Sequence, residues 1–215
     1  MLSTSNLPTA GQAKTFGPGN QQLKINSVEL VKGYQEGSYQ VKLHMEGPDQ
    51  GEGFEGFYID NVSKSGDRYK GQVGTVRMSQ YAYNSTTTPS GVKIDRDQSI
   101  LRGLQNLAKV TGVQAQLDTI SAETIEEYVQ EASEVLAQGD FANFCIGGKE
   151  YVNKGGYTQH DMFLPNSKGG LYAFTALNED PAKQLQFNNA VHIIKAAGSA
   201  PVETFEANKK ATFSL

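Results

Sequence analysis

The residues best suited to chemistry in this 215-residue chain lie between Gly53 and Tyr83. Phe54, Phe57, Tyr58, Tyr69, Tyr81 and Tyr83 alternate there with Lys64, Arg68, Lys70 and Arg77, and glycines at 53, 56, 66, 71 and 74 punctuate the run. Rings interleaved with cations on short strands can stack bases and neutralise phosphates, because every base offers a π-face and every nucleotide a negative charge. The same rings also suit ordinary sheet packing, since Tyr and Phe are strong strand formers. Successive strand residues face opposite sides, so only one of Phe57 and Tyr58 can stack and the other belongs to a core.

Charge favours the binding reading. From Lys64 to Lys109 eight residues are basic and three acidic, within a chain of net charge −4. From Asp118 to Asp140 seven are acidic and none basic. A distribution this polarised draws a polyanion to one face while the other keeps the molecule in solution. Arg68, Lys70, Arg77, Lys93 and Arg96 are the expected phosphate contacts, joined by Lys149 and Lys154 on GGKE and NKGGY, both read as turns.

Other chemistries lack their residue patterns. His44, His160, His192 and the single Cys145 show no metal-ligand spacing. GQVGTV lacks the flanking strand and helix of a dinucleotide fingerprint, and no GK[ST] follows a glycine-rich loop. No nucleophile stands at motif spacing from a base. The expectation is a binding module without catalytic residues, metal or cofactor.

The elements that must position these residues follow from periodicity. LKINSVEL (23–30) and SYQVKLHME (38–46) read as strands, the second placing Tyr39, Val41, Leu43 and Met45 on one face and Gln40, Lys42, His44 and Glu46 on the other. GFEGFYID and KGQVGTVRMSQYAY read as two more, joined by NVSKSGD. At Asp97 the period changes. Ile100, Leu101, Leu104, Leu107 and Ala108 fall at helical spacing, with Asp95 or Asp97 as cap and Gly112 at the C-terminal turn; a second amphipathic helix follows from about Ser121. Sheet character returns in FANFCIGGKEYV (141–152), GYTQHDMFLP (156–165) and GLYAFTAL (170–177).

This order predicts a mainly β fold with a helical insertion (α+β), an OB-like five-stranded barrel with a helical pair between strands 3 and 4. The expected organisation is a flexible arm over 1–22, an OB-like nucleic-acid-binding domain over 23–177 with its helical insertion at 97–138, and a partly ordered C-terminal tail over 178–215. One cysteine, no 18-residue apolar run and no signal-peptide pattern at the start predict a cytoplasmic protein that does not cross a membrane.

The runs GEGFEGFYID (51–60), RYKGQVGTVRMSQYAY (68–83), DRDQSILRGLQNLAKVTG (95–112) and FCIGGKEYVNKGGYTQHDMFLP (144–165) resemble a family of small proteins of tailed bacteriophages, including the crAss-like group, taken to be single-stranded-DNA-binding proteins with an OB-type fold. The resemblance spans about 23–177 and implies a host-cytoplasmic protein that holds single-stranded DNA with little sequence preference during phage replication or recombination. It also implies replication proteins as partners of the C-terminal tail, and a candidate homo-oligomer. The tail departs from the pattern of an acidic end closing on Phe: NKKATFSL puts basic residues before Phe213. The competing expectation is a structural virion protein or a carbohydrate-binding sheet, in which the same rings are core or saccharide platforms.

Overall fold

The computed structural model describes residues 13–51, 54 and 70–196. β1 (Gly19–Lys32) and β2 (Tyr39–Glu46) form an antiparallel hairpin, and β3 (Val73–Arg77) pairs antiparallel with β2. A two-residue ladder of β4 (Thr86–Thr87) and β5 (Lys93–Ile94) leads into α1 (Arg96–Val110), the single turn α2 (Gln114–Leu117) and α3 (Ile125–Leu136). β6 (Ala142–Val152) and β7 (Thr158–Phe163) make a second long hairpin. β8 (Phe174–Ala176), a 3-10 turn at Pro181–Lys183, α4 (Asn189–His192) and β9 (Ile193–Ile194) complete the described residues.

Two seams turn these strands into a closed barrel. β3 and β7 run parallel, with Val76 opposite Met162 and Arg77 opposite Phe163. The first half of β1 pairs with β6, Gly19 opposite Ile146 through Leu23 opposite Ala142, before its second half passes to β2. A bulge at Asn26 lets one strand serve both partners, since an extra residue bends the ladder locally. The ring β1-β2-β3-β7-β6 is thus a five-stranded OB-like barrel, with the helices inserted between its third and fourth strands.

The helical insertion belongs to the barrel's own core. Leu23, Ile25, Val28, Val41, Leu43, Met45, Val76, Phe144 and Ile146 share one buried cluster with Ile100, Leu104, Leu107, Leu117, Val129 and Leu136. Local signals set the helix ends. The Asp95 carboxylate accepts from the Gln98 amide to cap α1, and Gly112 takes a left-handed φ of 78° just beyond it. Thr124 and Glu127 form a reciprocal capping box at α3.

Three expectations need correction. Residues 13–22 of the expected arm are built into the sheet: Thr15 bridges Val73, Phe16 is buried, and Gly19–Gln22 open β1. GNQQ carries no apolar alternation, so only its distant partner β6 makes it a strand. The strand expected through Tyr83 stops at Arg77; the Met78 amide donates to Val41 O, and the chain bends before Tyr83 exchanges backbone hydrogen bonds with Tyr39. GGKE is the middle of β6 rather than a turn. A Cβ on Gly147 would sit 2.8 Å from Phe163 Cζ, and one on Gly148 2.7 Å from Pro18 Cγ, so these glycines make room for neighbours within the sheet. The expected strand over 53–60 lies outside the described residues, apart from Phe54.

Candidate nucleic-acid interface

The outward side chains of β2, β3, β7 and β6 line a shallow trough of about 490 Å³. Alternation decides which residues reach it: Val41, Leu43 and Met45 point into the core, which turns Lys42 toward the trough and leaves His44 buried under Thr75 and Glu29. Thr75, Arg77, Lys149, Glu150, Tyr151, His160, Asp161 and Met162 complete the lining, so three cations share it with two carboxylates, of which Asp161 is bound by Arg77 and Glu150 lies 3.9 Å from His160. The trough lies where the ladder of β3 and β7, paired at Val76–Met162 and Arg77–Phe163, ends. Beyond that point the N-terminal segment inserts from the inner side. Thr15 bridges Val73, the Phe16 amide donates to Val73 O at 3.2 Å, and the Phe16 ring lies where Gly74 would otherwise carry a Cβ, at 2.6 Å. A second hollow of about 400 Å³ continues the trough onto this segment, between Pro18, Tyr151 and Gln159.

The geometry divides the cations into two kinds. Arg77 is nearly buried and fully engaged: Nε and Nη2 reach Asp161 at 3.1 and 2.9 Å, Nη1 donates to Gln80 O at 2.9 Å, and the guanidinium lies 6.0 Å from the Phe163 ring centre. The expectation of a free phosphate contact at Arg77 is therefore corrected. Arg96 is likewise structural, 4.3 Å over the Tyr39 ring, with Nε donating to Asp97 at 2.6 Å and Nη1 to Gly37 O at 2.9 Å. The Tyr39 hydroxyl in turn donates to Glu126 and holds that carboxylate below its usual range, tying β2 to α1 and α3. Lys70, Lys93, Lys149 and Lys154 are exposed.

The rings divide in the same way. Tyr83 packs against the core, and burial pushes its hydroxyl up to about 12, so it is no stacking platform. Tyr81 is 68% exposed and Phe54 half-buried. Phe57, Tyr58, Arg68 and Tyr69 lie outside the described residues. The sequence reading passed over Lys42, Thr75, Tyr151 and Tyr157. Tyr151 and Tyr157 are 44% and 73% exposed on the β6–β7 hairpin, flanked by Lys149 and Lys154. The alternation KEYVNKGGYT carries the same ring-and-cation signal as 54–83 and could have revealed them. The hairpin turn itself is built as expected: the Asn153 side chain accepts from the amides of Gly155 and Tyr157, and Gly156 takes a φ of 80°.

Pairing directions place this hairpin. β2 runs into, and β3 out of, the connection 47–72; β7 is parallel to β3 and antiparallel to β6. The β6–β7 turn therefore lies at the same end of the barrel as the close of β2 at Glu46 and the start of β3 at Val73. Thr75 on the trough wall is fixed by a cross-strand chain, its Oγ1 3.1 Å from His44 Nδ1 and His44 Nε2 3.3 Å from Glu29 Oε2. The acidic α3 lies against β1, the one strand of the ring that contributes no residue to the trough lining.

Among the described residues no group of His, Cys, Asp and Glu could hold a metal ion, and no helix is long and apolar enough to cross a membrane. Cys145 is buried, which pushes its thiol up to about 11. No protein-family model, no curated protein and no solved structure matches the chain.

Proposed function

We propose that this protein binds single-stranded DNA with little sequence preference, laying the strand along the trough of β2, β3, β7 and β6. The observation that carries the reading is the trough itself: Lys42 and Lys149 on its walls, Tyr151 on its rim and Tyr157 with Lys154 on the adjoining hairpin tip. Cations on a groove wall track a backbone of phosphates, and exposed rings beside them stack bases whatever the sequence. The face spanning the second and third strands, with the loop between the fourth and fifth, is also where OB barrels take oligonucleotides. The resemblance to the phage family agrees with this assignment. On that reading the protein works in the host cytoplasm during phage DNA replication or recombination, and residues 197–215, with Phe205 and Phe213, serve to recruit replication proteins.

The chain has ten tyrosines and no tryptophan, so its own emission reports ring stacking. Titration with an oligothymidylate at about 50 mM salt should quench that emission, and the affinity should fall as salt rises, with a log–log slope of about −0.7 per phosphate contact. A folded protein that shows neither quenching nor a mobility shift at tens of micromolar would refute the reading in favour of a virion or carbohydrate-binding sheet.

A further inference from the structure

We infer that the trough holds, for one nucleotide of the strand laid along it, a defined subsite in which a phosphate rests between Lys42 and Lys149 while its base turns inward into the second hollow, between β3 and β7. This rests on the single-strand-binding reading and adds to it a place where one base leaves the line of its neighbours. The two hollows share the wall formed by Thr75, Tyr151, His160 and Met162, so they are contiguous. They differ in what they offer. Lys42, Arg77, Lys149, Glu150 and Asp161 belong to the outer hollow only, a balance of three cations to two carboxylates in which Arg77 and Asp161 bind each other, and Pro18 and Gln159 belong to the inner one only.

The inner hollow has the size and surfaces a base requires. Its volume of about 400 Å³ lies in the range of small-ligand pockets. The flat Tyr151 ring and the Pro18 ring supply apolar faces, and the floor beneath is fixed because Phe16 is buried against Gly74. Gln159 supplies the polar contact. Its Oε1 accepts the Tyr151 hydroxyl at 2.9 Å, which leaves the Nε2 hydrogens as donors. Every base carries an acceptor on its edge, so this contact holds a base without selecting its identity, in keeping with binding that ignores sequence.

Gly17 provides the test. It lines the inner hollow, a Cβ built on it meets nothing within 4 Å, and its backbone is not left-handed. Gly17→Phe should therefore place a ring at the edge of the hollow with no clash at its Cβ. We expect the variant to bind an oligothymidylate about tenfold more weakly than wild type, the loss of one engaged base, while binding a base-free deoxyribose-phosphate strand of equal length unchanged. Equal binding of the oligothymidylate by both proteins, or equal weakening for both strands, overturns the subsite and leaves the single-strand reading standing. Absence of any binding by wild type defeats both. A measurement on the wild-type protein stands beside these: the Met162 methyl resonance should move upfield on adding oligothymidylate as a base ring enters beside it, and an unmoved resonance in a saturated complex refutes insertion.

Discussion

Two stretches of this chain have nearly the same make-up and different fates: Lys70 and Tyr81 of the first are exposed, but its Arg77 and Tyr83 are not. KGQVGTVRMSQYAY (70–83) and GGKEYVNKGGYT (147–158) both interleave tyrosines and cations with glycines. In the first, Arg77 is bound to Asp161 and Gln80, and Tyr83 is folded against the core. In the second, Lys149, Tyr151, Lys154 and Tyr157 stand in solvent. The first begins in a barrel strand with neighbours on both sides, whereas the second is a hairpin whose Lys149–Val152 end pairs chiefly with its own returning strand. Composition names the residues able to bind; the number of strands around them decides which are free to.

The sharpest contrast comes from the core beneath both stretches. Leu104 is fully buried in the cluster joining α1 to the barrel, so Leu104→Ala should lower stability by about 2 to 5 kcal/mol in denaturant titrations. A loss under half a kcal/mol would mean the insertion is peripheral to the barrel. Next is Arg77→Ala, which strips Asp161 and Gln80 O of their partner; a cost of about 2 kcal/mol is expected, reduced from that of a wholly buried pair because Asp161 is half exposed. Lys149→Ala should leave stability unchanged and shrink the salt dependence of DNA binding by one contact. If the two variants exchange these signatures, the division of the cations is wrong.

Tyr157→Ala should weaken oligonucleotide binding roughly tenfold with no change in melting temperature; unchanged affinity would remove that ring from the interface. The smallest effect is an alkaline one. Tyr83 titrates near 12 when folded and near 10 when unfolded. The unfolded chain therefore sheds this proton first, and the stabilisation, complete below pH 10, declines as pH rises toward 12, by about 1 kcal/mol at pH 11. Tyr83→Phe should flatten that part of the stability–pH curve, and Tyr157→Phe should not.

Local rules made much of the fold legible. The alternation of 38–46 assigned each β2 side chain to its face, Asp95 and Gly112 marked the ends of α1, and the helices between strands three and four pointed to the barrel. What stayed hidden depends on partners far along the chain. Gly19–Leu23 form a strand only because Ala142–Ile146 lie beside them. Arg77 read as a free cation because Asp161 is 84 residues away. The trough was equally out of reach, since its walls come from 15–18, β2, β3 and the β6–β7 hairpin, and no window of sequence contains them together.

The seam between Gly19–Leu23 and Ala142–Ile146 also dictates an order of events at the ribosome. The β1–β2–β3 meander can assemble from neighbours in sequence, but its first strand must wait, half unpaired, until the insertion and β6 have been synthesised. Closing so long a loop costs more entropy than a local contact, which places this seam after the meander in the order of assembly. The same late arrivals, β6 and β7, carry Lys149, Tyr151 and Gln159. A nascent chain can thus display most of its hydrophobic strands before the walls of its trough exist.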